Sequence, residues 1–407
     1  MRYVIIGNSA AGIGAVEGIR QKDSQGEIIV ITNEPYHTYS RPLISYLLLG
    51  KVSEESMKYR PDSFYDDNNC TLLKNTTVTE IDQEAKRVIL KDGGSMSYDK
   101  LLVATGSSAF TPPFEGLDSV KNRYNFMNID DVKSFEKSID EKSRVLIVGA
   151  GLIGLKCAEG ILDRVQSITV VDLAPRILSS ILDEESSKIV QHHLESMGVE
   201  FRLSCGVDRF ESAGAFIKDG GKVDFDALVV AVGVRPNTVL LKGVAEIEHG
   251  IVINEKSETS KPDIYAAGDC TQTADVSSGR QKIMALLPNA YMQGECAGIN
   301  MAGGGKEFKK ALPMNAIGFC GLHIITAGNY EGDEYTESID GAYKRLFYSK
   351  NRLNGYILVG RVDRAGIYTS LIRERTPLDS LDFALICKNP GLMAFGRQDR
   401  EARLGGI

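Results

Sequence analysis

The sequence predicts an α/β fold: two doubly wound parallel-sheet units followed by an α+β region. Three observations predict it. A run of apolar strand, glycine-rich turn, helix and second strand opens the chain, and the same grammar returns about 140 residues later. Such a spacing fits two domains of one kind rather than a solenoid, whose repeats run ~20–50 residues. Beyond about residue 312 the texture changes to alternating apolar and polar positions, as in Arg345-Leu346-Phe347-Tyr348 and Tyr356-Ile357-Leu358-Val359, which reads as an antiparallel sheet.

In the first unit, Tyr3-Val4-Ile5-Ile6 is a continuous apolar run, as expected of a parallel strand covered on both faces. Gly7-Asn8-Ser9-Ala10-Ala11-Gly12 follows, then a helix with Ile13, Val16 and Ile19 on one face, then a strand from Glu27 to Ile31. A pyrophosphate needs close backbone approach and N–H groups aimed at it, which a glycine-rich turn opening a helix supplies. Ser9 stands where the middle glycine of a G-x-G-x-x-G turn would be; it is small, and its hydroxyl offers a bond to phosphate. Glu34, just past the second strand, is the candidate for a ribose hydroxyl, with Asn33 beside it.

The second unit has all three glycines. Arg144 to Val148 is the strand, Gly149-Ala150-Gly151-Leu152-Ile153-Gly154 the turn, and a helix with Cys157, Ala158, Ile161 and Leu162 follows. Ile168 to Val171 is the next strand, and Asp172 closes it. An acid at that place bonds a ribose hydroxyl and repels a 2′-phosphate, so NADH is favoured over NADPH, with Arg176 four residues on as a softening influence. Two such units in one chain imply two dinucleotides, and one FAD with one NAD(H) makes a hydride relay.

Three further strands end in small residues: Leu101 to Ala104 runs into Thr105-Gly106, Leu228 to Val232 into Gly233-Val234-Arg235-Pro236, and Ile264 to Ala267 into Gly268-Asp269. One or two helices are expected from about Gly366 to Ala384. Glycine is 41 of 407 residues, against a usual ~7%, so the excess must act locally. The formal net charge of −7 argues against nucleic acid as the main partner. No apolar run approaches ~18 residues, so no membrane span is expected, and a strand-like run from Arg2 leaves no room for a leader. The seven cysteines are scattered with no C-x-x-C spacing, which fits reduced thiols in a cytoplasm and no metal or cluster site. His192-His193 and His323 read as solvated or packing residues. Lys306, Lys309 and Lys310 form a basic patch that reads as a solvated face, with docking of an acidic redox partner as the alternative, and Tyr343 to Arg352 form a similar mixed aromatic–basic face. The charge-rich tail from Arg397 to Arg403 reads as a solvated end.

Gly7 to Gly12, Thr105-Gly106, Gly149 to Gly154, Val232-Gly233-Val234-Arg235-Pro236-Asn237 and Ala266-Ala267-Gly268-Asp269 occur in the order found in the pyridine nucleotide–disulfide oxidoreductase superfamily. Over about residues 1–300 the chain resembles its two-dinucleotide flavoproteins of glutathione-reductase type. The resemblance implies FAD on the first unit (Gly7, Ser9, Ala10, Ala11, Gly12, Asn33, Glu34) and NAD(H) on the second (Gly149, Gly151, Leu152, Ile153, Gly154, Asp172). It implies that Ala104, Thr105, Gly106, Gly233 and Gly268 lie beside the cofactors. Asp269 would bond the flavin ribityl chain, and Val78 would meet adenine through its backbone. The helix starting near Pro288-Asn289 would aim its N-terminus at the flavin pyrimidine, where a positive dipole end stabilises reduced flavin. Implied domains are 1–112 with 238–310 for FAD, 113–237 for NAD(H), and 311–407, which in the family packs on the flavin face and often builds a homodimer interface.

Tyr39-Ser40-Arg41-Pro42 is similar to NADH:rubredoxin oxidoreductases and to the flavin portion of assimilatory nitrite reductases, with Arg41 and Pro42 at the FAD phosphate or ribityl oxygens. A looser likeness is to flavoproteins that accompany ferredoxin-like subunits in carbon monoxide dehydrogenase systems. Disulfide reductases carry a redox cysteine after the first unit; Arg41-Pro42-Leu43-Ile44-Ser45-Tyr46 has none, which excludes a thiol relay there. Relatives often place a lysine where Tyr46 stands and a glutamate where Lys156 stands. The changed pair makes Lys156 the candidate catalytic side chain, a cation near flavin N5, against the alternative of a surface lysine. No cysteine-rich extension follows, so the chain is not a complete nitrite reductase. The expected activity is hydride transfer from NADH to FAD, then electron transfer to a small iron–sulfur protein of rubredoxin or ferredoxin type. The alternatives are an NADH oxidase or peroxidase, and a flavin-binding assembly subunit without turnover.

Overall fold

The structure is a computed structural model that describes residues 1–218, 221–391 and 394–396. The tail from Arg397 to Arg403 therefore lies outside the described residues. The chain divides into two compact units. One holds residues 1–175, 198–273 and 281–309; the other holds 176–197, 274–280 and the chain from 310 onward.

Two five-stranded parallel sheets form the first unit. The first has the order Ile264–Ala266, Lys100–Val103, Arg2–Ile6, Glu27–Ile31, Cys70–Leu73. Val4, Ile5, Ile28, Val30, Leu101, Leu102 and Val103 are fully buried, as continuous apolar runs in a covered parallel sheet should be. The second has the order Val199–Arg202, Ser167–Val171, Arg144–Val148, Ala227–Val230, Arg123–Tyr124. A two-stranded ribbon, Ser107–Ala109 against Val234–Pro236, joins the two sheet regions. Val234-Arg235-Pro236 is thus part of a connector.

The helix Ala10–Arg20 covers one face of the first sheet with Ile13, Val16 and Ile19, all at 0% exposure. It packs along the helix Leu287–Met301, whose first turn carries Pro288. The two run parallel, because Ala11 faces Gly294, Gly14 faces Tyr291 and Glu295, and Ala15 faces Gly298. A Cβ on Gly294 would lie 1.9 Å from the Ala11 carbonyl oxygen, and one on Gly298 2.2 Å from that of Ala15. From the other side, Cβ atoms on Gly14 and Gly18 would lie 2.3 and 2.4 Å from the Tyr291 and Glu295 carbonyl oxygens. Much of the glycine excess left unassigned by the turns is here, where two backbones touch.

In the second unit, five antiparallel strands between Met314 and Val359 form one sheet. Helices Ala365–Arg373 and Phe383–Lys388 follow, and Leu346, Tyr356, Tyr368 and Leu371 build its core. The helix Glu184–Ser196 belongs to this unit; Asp183 caps it through the Ser186 N–H and also accepts from Tyr343 and Arg345. Burial opposes the Asp183 charge, but these donors outweigh it and hold the carboxyl below its ordinary range.

Two surface expectations are corrected. The Tyr343–Arg352 stretch is not an open face: Tyr343 and Phe347 are 3% exposed, Lys344 pairs with Glu337, and Arg345 with Asp183 and Glu334. Lys306, Lys309 and Lys310 are solvated as expected, and each also meets a carboxylate: Lys306 that of Glu295, Lys309 those of Glu255 and Glu307, and Lys310 that of Glu374. His323 is exposed on its strand instead of packing, while His193 Nε2 meets the Phe319 carbonyl at 3.0 Å and His192 is solvated. Among the described residues no helix is long and apolar enough to cross a membrane, and no group of three His, Cys, Asp or Glu side chains is placed to hold a metal.

Gly294→Ala should cost about 1–3 kcal/mol of stability, the usual range for overpacking, and lower the denaturant midpoint. An unchanged midpoint would show that the helices can part at no cost.

Candidate functional site

The strand Arg2–Ile6 leaves the sheet between its neighbours, where Gly7 N–H donates to the Ile31 carbonyl and Ala104 N–H to that of Ile6. Gly7 has φ +123°, and a Cβ there would lie 2.1 Å from the Ala104 carbonyl oxygen. Only glycine fits this crossing of the chain. A Cβ on Gly12 would lie 2.0 Å from the Gly7 carbonyl oxygen, which fixes the helix start against the strand. Ser9 is the N-cap, and its side chain makes no capping bond to the helix. Ala10 and Ala11 open the helix and are buried.

A small polar cleft, partly open to solvent, lies over this turn. Asn8, Ser9, Thr32, Glu34, Tyr36, His37, Tyr39 and Arg41 line it. Arg41 pairs with Glu34 at 2.5 Å and donates to the Met127 carbonyl at 3.5 Å. Burial works against the Arg41 cation, but Tyr39, Glu34 and Asp269 outweigh it and raise its pKa. Burial pushes the Asp269 carboxyl up, with Arg41 and Ser107 opposing. Arg41 is thus within electrostatic reach of both Glu34 and the sequence-distant Asp269. Asn33 is exposed and does not line the cleft.

Gly268 sits at φ +84° between the Ala11 and Ala290 methyls, so the loop carrying Asp269 meets the starts of both parallel helices. Gln293 accepts the Gly268 N–H at 2.9 Å. Asn289 is 3% exposed in the first turn of its helix. Asn237 binds the Thr105-Gly106 corner from three sides: its N–H donates to the Gly106 carbonyl, its Nδ2 to the Thr105 carbonyl, and its own carbonyl accepts the Thr105 hydroxyl. Val78 stands at a register shift of an antiparallel three-stranded sheet, opposite Leu90. It does not line the cleft.

The second cradle repeats the first. Gly149 has φ +116° with the Ala231 carbonyl oxygen 2.3 Å from its Cβ position, and the Gly154 position meets the Gly149 carbonyl oxygen at 2.0 Å. The Gly151 position has nothing within 4 Å. Its lack of a side chain is not demanded by this chain's own packing, which is what a surface kept open for a close-approaching ligand requires. Leu152 and Ile153 open the helix behind it. Asp172 accepts the Ala150 N–H at 2.6 Å on one oxygen and the Ala174 N–H at 2.7 Å on the other. It therefore holds the turn as well as facing it. Gly233 has φ +122° and open space beside it. Arg176 directs its guanidinium to the Leu182 and Ser179 carbonyls at 3.4 Å.

Between the cradles, the short helix Ile44–Leu48 packs on the helix Leu152–Ile161. Lys156 Nζ lies 4.7 Å from the Tyr46 ring centroid and pairs with Glu159. The side chains are 16% and 5% exposed, so the surface-lysine alternative is wrong. The two positions that carry an ion pair in the resembling proteins do touch here, as cation and ring.

The residues fit two dinucleotides. Two residues lining the first cleft have polar atoms that the chain leaves unsatisfied: His37 Nε2 and Tyr39 OH are buried without hydrogen-bond partners, a state native proteins avoid unless water or a ligand completes it. Asn8, Thr32, Tyr36, His37 and Tyr39 were missed by sequence reasoning. Their nearness to Arg41 in sequence was the available signal for the last three. Burial pushes the Cys270 thiol up to about 11 and the Cys70 thiol up to about 12.

Paired cradles on two parallel sheets define a protein built for two dinucleotides. The chain belongs to the pyridine nucleotide-disulphide oxidoreductase family, whose model matches residues 1–294. It is 30% identical to the NADH-dependent phenylglyoxylate dehydrogenase subunit epsilon of Aromatoleum evansii, over 98% of this chain and 96% of that one. It is 31% identical to the assimilatory nitrate reductase electron transfer subunit of Bacillus subtilis over 92% of its length, and spans 49% of that longer protein. The fold matches the reductase in a covalent putidaredoxin reductase–putidaredoxin complex with a TM-score of 0.88 at 23% identity, covering 100% of this chain and 99% of that one. The protein is an oxidoreductase that binds FAD and NAD(H).

Asp172→Asn replaces one acceptor oxygen with a donor facing a backbone N–H. With ~1–3 kcal/mol at stake for an unsatisfied buried group, NADH should bind roughly ten- to hundredfold more weakly at unchanged FAD content, as read by calorimetric titration. Equal affinity would remove Asp172 from the site.

Proposed function

We propose that the protein takes hydride from NADH and passes electrons to a small iron–sulfur protein of rubredoxin or ferredoxin type. In this reading residues 1–112 and 238–310 hold FAD, 113–237 hold NADH, and 311–407 form a separate domain. The observation that carries the outward path is the lack of any thiol where disulfide reductases keep one: no cysteine occurs between Met1 and Asn69, and Ile44–Leu48 packs against Leu152–Ile161 in its stead. The name of the Bacillus subtilis relative, an electron transfer subunit, supports the same direction.

FAD, when bound, would supply the hydride-accepting and one-electron chemistry, and the chain's own groups would orient and stabilise it. The turn at Gly7–Gly12 would hold its pyrophosphate through N–H groups, with Arg41 as counter-charge. Asp269 would hold the ribityl chain, and the N-terminus of the Leu287–Met301 helix would stabilise negative charge on the ring. Gly149–Gly154 and Asp172 would hold NADH. Lys156 supplies a cation between the two cradles. Glu159, 5% exposed, is its ion-pair partner, and the Tyr46 ring faces the cation.

Two measurements test this reading. NADH-reduced enzyme mixed anaerobically with oxidised rubredoxin or ferredoxin should reoxidise faster than it does with oxygen; slow transfer to both with fast oxygen consumption would make it an oxidase. Lys156→Met should shift the flavin potential negative and slow reduction by NADH. If neither changes, Lys156 only braces the two helices.

A further inference from the structure

Beside Glu34 and Arg41, the first cleft contains a histidine that the proposed cofactor contacts leave unused. His37 lines the cleft, and its Nε2 is buried with no hydrogen-bond partner. The other ring nitrogen has one: Nδ1 lies 3.1 Å from the Thr38 carbonyl oxygen. A carbonyl oxygen only accepts, so the proton of the neutral ring sits on Nδ1, and Nε2 carries the lone pair. The ring is held in place. It meets Tyr65 edge-on at 5.0 Å between centroids, and the Tyr65 hydroxyl donates to Asn8 Oδ1 of the glycine-rich turn at 2.5 Å. A buried acceptor, fixed in orientation and left empty, points to a donor on the ligand.

We infer that His37 Nε2 accepts a hydrogen bond from a hydroxyl of the adenosine ribose of the nucleotide in the first cradle; this rests on the FAD reading above. The ribose is the fitting source because the cleft is also lined by Thr32 and Glu34 at the end of the second strand, where acidic residues of such units meet ribose hydroxyls. A phosphate oxygen carries no proton to give to Nε2. The charged and titratable groups around the ring are Glu34, Arg41 and Tyr36 in the cleft, Tyr65 against its face, and Asp62 within electrostatic range. Lys58 holds the Asp62 carboxyl below its ordinary range.

The test uses full-length protein freed of flavin and titrated with FAD, followed by quenching of flavin fluorescence. His37→Phe keeps the ring against Tyr65 and removes the acceptor; it should weaken FAD binding roughly five- to tenfold. His37→Gln offers an amide oxygen and should stay within about threefold of the parent. ADP, which carries the same ribose, should displace FAD with the same order of affinities across the three proteins. Circular dichroism must show all three proteins folded; where His37→Phe fails to fold, His37→Ala takes its place with the same expectation. Equal affinity of the acceptor-less variant and the parent, for FAD or for ADP, would overturn the inference. If the parent takes up no FAD at all, the cofactor reading itself falls, and the inference with it.

Discussion

The site depends on the contact between two parallel helices, Ala10–Arg20 and Leu287–Met301. Their backbones touch at Gly14, Gly18, Gly294 and Gly298, where no side chain could be inserted without striking a carbonyl oxygen. Parallel packing at this closeness brings both N-termini to the same end of the first sheet. Two positive dipole ends then converge on one place, and Gly268-Asp269 is held there between Ala11 and Ala290 by the Gln293 carboxamide. A larger residue at the crossing would separate the anion-binding turn from the acidic loop, although neither contains the substituted position.

The segment from Glu34 to Glu54 is the second organising element. It has no thiol, and its side chains reach across to the other sheet region. Tyr36 bonds Asp130, Arg41 the Met127 carbonyl, and Glu54 pairs with Lys133. The Leu48 carbonyl accepts from Arg164, and the Tyr46 ring faces Lys156. A Cβ on Gly160 would lie 2.9 Å from the Leu48 side chain, so the two short helices are also in close steric contact. A stretch that carries thiol chemistry in disulfide reductases here connects the two cradles mechanically and electrostatically.

Charge was the least readable property of the sequence. Lys306, Lys309 and Lys310 look like a patch in one dimension, and each meets a carboxylate in three. Glu295 and Glu374 are brought to them by a helix and by a turn many residues away. Arg345 finds Asp183 across 162 positions in the same way. Local runs of like charge say little about a surface when partners come from distant chain, and ion pairs between exposed side chains are worth little in stability even when formed.

The sequence by itself determined the elements and the turns. Apolar runs of four or five residues, a glycine turn and an amphipathic helix are local patterns, and a positive φ at Gly7 or Gly149 is a local demand that only glycine meets without strain. That is why both cradles, their acids and the absence of a redox thiol were legible in advance. Tertiary structure decided what each side chain meets. It showed Asp172 bonding two backbone amides of its own cradle, Lys156 enclosed by Glu159 and Tyr46, and His37 with an empty acceptor beside Glu34. It also showed that four glycines outside the turns serve a helix crossing. The Asp172–Ala150, Lys156–Tyr46 and glycine contacts join segments tens to hundreds of residues apart, and no periodicity or spacing within one segment encodes which distant surface it will meet.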